Sequence, residues 1–170
     1  HPGGVFTTIV NRDGTFDVVG TLSMSYHDTR DTVLDVIGGT VTADALNMLV
    51  SSDNVGLNAQ SRIGLSEGGT MTIDGTVVRT MLTRSDSGVV VRFLDKSPAY
   101  FMAKYGDDLP DLATVQGSLG TLFVSDTDWT LLALDAGGGY FKVSVVPEPG
   151  SFAWCFMGFA FLLFRRRRGR

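Results

Sequence analysis

The sequence predicts a mostly β protein: a β-sandwich of jelly-roll type with a short helical insertion, followed by a C-terminal hydrophobic helix. The 170 residues include 21 glycines, and sixteen of the eighteen acidic residues are aspartate. Aspartate favours turns because its short carboxylate accepts hydrogen bonds from nearby backbone amides. Hydrophobic residues make up 44% of the chain, which is enough for a core. About nine strand-like segments are separated by turn residues, as in many sandwiches.

The first two predicted strands flank an Asp-Gly turn. Residues 5–10 are all β-branched or aromatic, and a second strand is predicted at residues 15–26. Asp13-Gly14 lies between them and is typical of a hairpin turn. From Thr21 onward, hydroxyl side chains alternate with large apolar ones, so one face of the second strand is apolar and the other polar.

A short strand predicted at residues 33–37 is followed by an ambiguous segment. Its apolar residues have helical spacing from Leu46 onward, and Thr42 is suited to cap a helix. Residues 42–50 therefore stay open between helix and strand.

The clearest predicted hairpin turns at Asp74-Gly75, between strands at residues 70–73 and 76–82. An alternating strand at residues 55–65 precedes it, and a strand at residues 88–94 follows.

Residues 97–117 break the β pattern and are predicted to contain two helices. Ser97-Pro98 suits an N-cap and a first helical position, and Gly106 suits the end of that helix. A second helix is predicted after Pro110 and ends before Gly117. Strand-like segments return at residues 121–125, 129–134 and 140–146. We detect no internal repeat.

His27 invites a catalytic interpretation because Ser25 and Asp28 lie close to it in the sequence. A serine hydrolase needs these groups to meet in space beside an oxyanion hole. No nucleophile elbow is expected in this chain, so no catalytic residue is assigned and His27 is predicted to lie in a surface loop.

Three groups of oxygen-bearing side chains lie in predicted loops, the kind of place where Ca²⁺ finds its six to eight oxygen ligands. None has the spacing of an EF-hand, so Asx turns are the predicted role and a structural calcium ion is the alternative. No metal ligand and no cofactor is assigned. The groups are Asn11, Asp13 and Asp17; Asp107, Asp108 and Asp111; and Asp126 and Asp128.

Two Thr-x-Thr pairs, Thr40/Thr42 and Thr70/Thr72, place hydroxyl groups on one face of a strand. Longer rows of such hydroxyls organise water on ice-binding surfaces. Two isolated pairs are weak support for that function, because threonine is also a good strand former.

Charge is divided unevenly along the chain. Residues 1–150 carry nine basic and eighteen acidic residues, a net charge of −9, whereas residues 151–170 carry five arginines and no acid. An acidic body repels nucleic acid, so no nucleic-acid partner is predicted. The one cysteine, Cys155, has no partner for a disulfide within the chain. Because the chain opens with His1 and has no leader-like segment, we expect a removed export sequence or preceding chain.

The C-terminal tail combines three pieces in a fixed order. Val146, Pro147, Glu148 and Pro149 form a stiff motif, since proline fixes φ and lacks a backbone donor. After Gly150, the fourteen residues 151–164 carry no charge. Conspicuous among them are Ser151, Trp154, Phe156, Phe159, Phe161, Leu163 and Phe164. The segment is followed by four arginines, Arg165, Arg166, Arg167 and Arg168.

The apolar segment fits neither a core helix nor a permanent anchor. As a helix it is about 21 Å long, shorter than the roughly 30 Å hydrocarbon core of a bilayer. It lacks the polar stripe of a surface helix, and the adjoining arginines cannot be buried unpaired. Because arginines hold their end of such a segment on the cytoplasmic side, we predict a temporary membrane address with the body across the membrane.

This tail resembles the PEP-CTERM sorting tail of Gram-negative bacteria, which is the substrate of exosortase-type membrane transpeptidases. The resemblance covers about residues 146–170. It implies that Pro147, Glu148 and Pro149 form the recognition motif, that the apolar segment holds the motif at the inner membrane, and that the arginines stop transfer. It also implies cleavage near the motif and delivery of the body to the cell surface or extracellular matrix. The same tail also carries a name that refers to the C-terminus of ice-binding proteins, which says nothing about the body.

Two domains are therefore predicted, a β-rich extracytoplasmic body at residues 1–146 and a sorting tail at residues 147–170. The leading hypothesis is a non-enzymatic surface or matrix protein, structural or associated with extracellular polysaccharide. One alternative is a secreted hydrolase or carbohydrate-active enzyme, which in a glycosidase requires paired carboxylates about 5–10 Å apart. The other is a permanently membrane-anchored surface protein.

Overall fold

A computed structural model describes residues 7–24, 32–51, 61–82 and 88–147. This part of the chain is mostly β, and it contains one short helix. The elements are β1 (Thr7–Arg12), β2 (Thr15–Met24), β3 (Thr32–Ile37), β4 (Thr40–Ser51), β5 (Arg62–Ser66), β6 (Thr70–Leu82), β7 (Val90–Phe93), β8 (Tyr100–Lys104), α1 (Leu112–Gly117), β9 (Phe123–Ser125), β10 (Thr130–Gly137) and β11 (Tyr140–Val146).

The strands build a β-solenoid, so the predicted β-sandwich is wrong. Successive strands alternate between two sheets: β1-β3-β5-β7-β9 form a five-stranded sheet, and β2, β4, β6 and β8 lie side by side in a six-stranded sheet. Every pair among these strands is parallel. Each strand therefore pairs with the strand one coil away and not with its neighbour in sequence.

The Asp-Gly dipeptides do not form the predicted hairpins. Asp13 has a φ of 53°, and Asp13-Gly14 is a corner where the chain passes from β1 in one sheet to β2 in the other. Asp74-Gly75 lies inside β6, at an irregularity in its pairing with β4 and β8. The dipeptide correctly indicates unusual backbone, but it does not specify which strands pair.

The helix predicted after Ser97-Pro98 is wrong, and the segment left open between helix and strand is a strand. Residues 42–50 belong to β4, and the segment after Ser97-Pro98 is β8 instead of a helix. The second helix is confirmed as α1, which Asp111 caps by accepting a hydrogen bond from the Thr114 backbone amide at 2.7 Å. In residues 42–50 and in the segment after Ser97-Pro98, pairing with neighbouring strands decides the structure, because an interior strand position outweighs weak helical spacing.

The solenoid has a structural repeat, which contradicts the prediction of none. Gly14-Thr15, Gly39-Thr40 and Gly69-Thr70 occupy the same corner of successive coils, and Tyr100 takes the place of threonine in the next coil. At each corner the glycine carbonyl accepts from the backbone amide of the next coil, at 2.8 Å for Thr40 and 2.9 Å for Thr70. The repeat is hard to detect because the coils differ in length: Thr15 pairs with Thr40 twenty-five residues on, whereas Thr40 pairs with Thr70 thirty residues on.

The hydrophobic core lies between the two sheets. Inward side chains of neighbouring coils stack on one another, so Val41, Met71 and Phe101 form one buried row. Three fully buried rings fill one end of this core: Phe101 lies 5.5 Å from Phe123 and 6.3 Å from Phe141, between ring centroids.

An antiparallel hairpin completes the six-stranded sheet. β11 pairs with β8 on one side and with β10 on the other. This hairpin is confirmed where the sequence predicts it, between residues 129–134 and 140–146. Because β11 is paired on both edges, the last strand before Pro147 is an interior strand of the body.

The corner between β7 and β8 is tied to the coil before it. Asp95 accepts from the Glu67 backbone amide at 2.8 Å, and Gly68 donates its backbone amide to the Ser97 hydroxyl at 2.8 Å. Burial alone would raise the pKa of Asp95, but hydrogen bonds from Ser97 and Glu67 hold that pKa below its usual range. The Asp95 carboxylate thus helps to hold Glu67 in its left-handed backbone conformation, with a φ of 52°.

Candidate functional site

The outer face of the six-stranded sheet carries the most regular array of polar side chains in the described residues. Along β4, β6, β8 and β11, buried residues such as Val41, Met71, Phe101 and Phe141 alternate with more exposed ones. The partly exposed residues point away from the core, because successive side chains in a strand alternate between faces. Two parts of this face differ in chemistry.

We call the first part the threonine ladder: Thr40, Thr42, Thr70 and Thr72. The two Thr-x-Thr pairs are brought into register, since Thr40 pairs with Thr70 and Thr42 with Thr72 on neighbouring strands. The Thr70 hydroxyl donates to the Thr40 hydroxyl at 3.2 Å, and the Thr42 hydroxyl donates to the Asp17 carboxylate. The two pairs therefore lie side by side on neighbouring coils, in place of the isolated pairs that the sequence predicts.

We call the second part the tyrosine–lysine patch: Tyr100, Met102, Lys104, Tyr140 and Lys142. β8 and β11 run antiparallel here, and Lys104 lies opposite Tyr140 while Met102 lies opposite Lys142. The Lys142 ammonium is 4.2 Å from the centre of the Tyr100 ring, and the Lys104 ammonium is 5.2 Å from that of Tyr140. Each ring face attracts the cation electrostatically, so both ammonium groups are oriented on the surface.

The lysines of this patch differ from other cations of the described chain. Arg62, Arg92 and Lys96 each contact an aspartate at 2.8 Å or less. Among the ion pairs between described residues, none involves Lys104 or Lys142. Among the described residues, the patch therefore presents two lysines that have no ion-pair partner, on a body that is acidic overall.

Sequence reasoning missed this patch because its two lysines are far apart in the chain. A periodic pattern nevertheless marks both strands: Tyr100, Met102 and Lys104 alternate with buried residues, as do Tyr140 and Lys142. The sequence signal that could have revealed the patch is that both strands begin with Tyr-Phe and carry a lysine on the same face as the tyrosine. That pattern becomes informative only once β8 and β11 are known to pair.

The carboxylates considered for calcium hold the protein's own turns and ion pairs. Asp111 caps α1, and Asp108 accepts from the Arg79 backbone amide at 2.7 Å. Asp126 pairs with Arg92, and Asp128 pairs with Lys96. No group of three or more His, Cys, Asp or Glu side chains in the described ranges is placed to hold a metal ion.

The first loop group is divided between a turn and the outer face. The Asn11 amide donates to the carbonyls of Gly14 and Thr40, at 3.0 and 2.9 Å. Asp13 takes the positive φ of the corner, and Asp17 accepts from Thr42. The contacts of Asn11 and Asp13 agree with the predicted role in turns, whereas Asp17 lies in strand β2 and binds a hydroxyl of the neighbouring strand.

A Gly-x-Ser-x-Gly sequence occurs at residues 64–68, contrary to the expectation that the chain has no nucleophile elbow pattern. A nucleophile elbow requires the serine at a strand-to-helix turn. Here Ser66 is the last residue of β5, and the corner after it leads into strand β6. The Ser66 carbonyl accepts hydrogen bonds from the backbone amides of Gly38 and Gly69. The motif therefore helps to hold successive corners of the solenoid together.

Tyr105 has an enclosed hydroxyl, and this hydroxyl has no hydrogen-bond partner within the described chain. Its ring packs 5.6 Å from that of Phe141. Burial raises the pKa of Tyr105, and the negative charges of Asp135 and Asp111 raise it further. The phenol therefore stays protonated at neutral pH, as suits a core residue.

Most of the predicted tail residues lie outside the described part of the chain. Val146 ends β11, and Pro147 is the last described residue. Glu148, Pro149, the apolar segment and the arginines lie outside it, as do Ser25, His27 and Asp28. Within the described ranges, the structure contains no helix with the length and hydrophobicity needed to span a bilayer.

In comparisons with known proteins, no family model matches this chain, and no curated protein or solved structure is significantly similar to it. A function must therefore be inferred from the residues of the chain itself.

Proposed function

We propose that this chain is an exported surface or extracellular-matrix protein, delivered by a C-terminal sorting tail of PEP-CTERM type. The solenoid body is a structural or polysaccharide-associated module. The observation that carries the proposal is the order of the last residues: Pro147-Glu148-Pro149-Gly150, then the fourteen uncharged residues 151–164, then Arg165–Arg168. Each piece has a separate physical role in such a tail.

The position of the motif relative to the body supports this proposal. β11 ends at Val146 and is held between β8 and β10. The Pro-Glu-Pro motif begins with the next residue. Two prolines disfavour helix and keep the motif extended, and an extended segment next to a paired strand is a suitable substrate for a processing enzyme.

The apolar segment and the arginines together suit a transient membrane intermediate. A helix of about 21 Å is shorter than the roughly 30 Å hydrocarbon core, and four adjacent arginines strongly favour the cytoplasmic side for their end. The motif is then presented at the outer surface of the inner membrane. A membrane transpeptidase of exosortase type is the partner that this arrangement implies.

A polysaccharide-associated role for the body is supported by the outer face of the six-stranded sheet. The threonine ladder and the tyrosine–lysine patch adjoin on that face, since Thr70 pairs with Tyr100 and Thr72 with Met102. Hydroxyl, aromatic and cationic groups are those that contact sugars and their acidic substituents.

Mass spectrometry of the mature C-terminus tests the sorting proposal. The full precursor is expressed in a Gram-negative host that contains a sorting transpeptidase, and the surface fraction is compared with the inner membrane. We expect the surface form to end near Pro147–Pro149 and to lack every peptide from the arginine cluster, because cleavage precedes delivery.

Variants of the motif and of the arginines make this test specific. The substitutions Pro147→Ala, Glu148→Ala and Pro149→Ala, combined, should leave nearly all of the protein uncut in the inner membrane. Lysine at positions 165–168 keeps the charge and should preserve sorting. A surface-exposed form that retains the peptide ending in Arg170 would mean a permanent anchor and would refute the proposal.

A further inference from the structure

We propose that the tyrosine–lysine patch binds an anionic, carboxylate-bearing polysaccharide. This inference rests on the proposed function and names the ligand class for it. Lys104 and Lys142 would bind carboxylates, the ring edges of Tyr100 and Tyr140 would lie beside sugar rings, and the adjoining threonines would contact sugar hydroxyls.

The charge of the patch indicates an anionic ligand. Neither lysine has a carboxylate partner among the described ion pairs, whereas Lys96 contacts Asp128 at 2.6 Å. A cation held over a ring face retains N–H donors for a further acceptor, because an ammonium group has three. Binding of an anion therefore adds contacts to Lys104 and Lys142 without breaking an existing ion pair.

The geometry of the patch indicates an extended ligand. Lys104 lies opposite Tyr140, two residues along β11 from Lys142, so the two lysines are diagonal neighbours on adjacent strands. Such neighbours are about 7–8 Å apart at the backbone. Two positive groups on diagonal neighbours, each over a different ring, suit a polymer that presents carboxylates repeatedly, more than they suit a single small anion.

The rings give each lysine a defined position. Tyr100 holds Lys142, and Tyr140 holds Lys104, through the ring–cation contacts described above. The Tyr140 hydroxyl donates to the Asp74 carbonyl at 3.3 Å, which fixes that ring on the sheet. Ordered cations bind with less loss of side-chain entropy than freely moving lysines.

The surroundings favour an acidic polysaccharide over nucleic acid. Residues 1–150 carry a net charge of −9, which repels nucleic acid and a carboxylated polysaccharide alike, so the side chains beside the patch decide between the two classes. The adjacent ladder of Thr70 and Thr72 offers hydroxyl groups to a ligand rich in hydroxyls. A long polymer crossing β8 would therefore find suitable contacts on both sides of the strand.

Binding to immobilised polygalacturonate tests this inference, with dextran as the neutral control and single-stranded DNA as the alternative polyanion. The full chain is measured in non-ionic detergent at low and high salt. We expect binding to polygalacturonate alone, weakened at high salt because the lysines are at the surface. Equal binding to dextran, tighter binding to DNA, or no binding to polygalacturonate at low salt would overturn the proposal.

Charge-matched variants assign the binding to the patch. Lys104→Gln and Lys142→Gln should each lower affinity about threefold and together about tenfold, as expected for exposed charge pairs. Lys96→Gln removes the same charge from a corner where Asp128 already pairs with it, and should change little. Equal losses in all three single variants would show that net charge alone matters, which contradicts a defined site.

Tyrosine variants separate positioning from general surface charge. Tyr100→Phe keeps the ring and should retain binding, whereas Tyr100→Ala frees Lys142 and should weaken binding at unchanged net charge. Unchanged binding by Tyr100→Ala would contradict the role of the ring. Melting temperatures of the variants check that each protein is folded.

Failure of this inference is distinguishable from failure of the proposed function. The lysine variants should leave the C-terminus of the surface form unchanged, since they lie outside the tail. If the unsubstituted protein is cleaved normally but does not bind polygalacturonate, only the ligand assignment is removed. If an uncut surface form binds normally, only the sorting proposal is removed.

Discussion

Replacement of Phe101 by alanine is expected to lower the free energy of unfolding by about 3–5 kcal/mol, the usual cost of deleting a buried aromatic side chain. Phe101 is fully buried and packs against both Phe123 and Phe141. Its strand pairs with β6 on one edge and β11 on the other, so neighbouring backbone cannot easily collapse into the space.

Urea denaturation of the full chain in non-ionic detergent measures this loss. Val19→Ala is the control, because Val19 is 91% exposed, and a surface substitution of this kind usually changes stability by less than about 0.5 kcal/mol. Equal effects of the two substitutions would show that Phe101 is not enclosed, and that the core between the sheets is wrongly placed.

Replacement of Gly69 by alanine is expected to destabilise the protein by about 2–3 kcal/mol, at the upper end of the cost of overpacking. A Cβ atom at this position would lie 2.2 Å from the Val36 carbonyl oxygen. That oxygen belongs to the backbone of the preceding coil, which is held in a sheet and cannot move aside as a flexible side chain would. The effect therefore reports how closely successive coils approach at the corner.

Gly117→Ala is the matched control, measured by the same denaturation. A Cβ atom on Gly117, at the end of α1, would have no neighbour within 4 Å. We expect no loss, or a gain of about 0.4–1 kcal/mol from the lower entropy of the unfolded chain. If Gly69→Ala is no more harmful than Gly117→Ala, the corners do not stack as described.

The sequence predicts strands better than it predicts their partners. Alternation places Thr40 and Thr42 on one face of a strand, and the structure confirms that strand in β4. Nothing in a single strand indicates that Thr40 pairs with Thr70 thirty residues on. Parallel pairing across coils depends on where each coil begins and ends. The residues within one strand carry little information about those boundaries.

Hairpin chemistry misleads for the same reason. Asp13-Gly14 and Asp74-Gly75 fit a tight turn, and the unusual backbone is present at Asp13. In a solenoid, however, such backbone also forms corners and irregularities within bent strands. A dipeptide that suits all three settings cannot decide between a sandwich and a solenoid.

The two candidate functional regions differ in how far each can be recognised from the sequence alone. The sorting tail is contiguous, so its motif, apolar segment and Arg165–Arg168 are visible together. The tyrosine–lysine patch is assembled from two strands, and its cations come together only because β8 pairs with β11. Lys104 and Lys142 appear as ordinary surface lysines until that pairing is known.

The stacking of coils in parallel register is the central claim, and a cysteine cross-link tests it most directly. Cys155 is first replaced by serine, and cysteines are then introduced in pairs for mild oxidation of the folded chain. Thr42 and Thr72 are paired neighbours on β4 and β6, about 4.8 Å apart, within the range of roughly 4.4–6.8 Å that a disulfide requires.

We expect the Thr42→Cys, Thr72→Cys protein to form an intramolecular disulfide. The competing pair is Thr72→Cys with Val77→Cys, which a hairpin at Asp74-Gly75 would place opposite each other. Both residues lie on the one strand β6, so this pair should stay reduced. Cross-linking of the second pair, without cross-linking of the first, would contradict the solenoid.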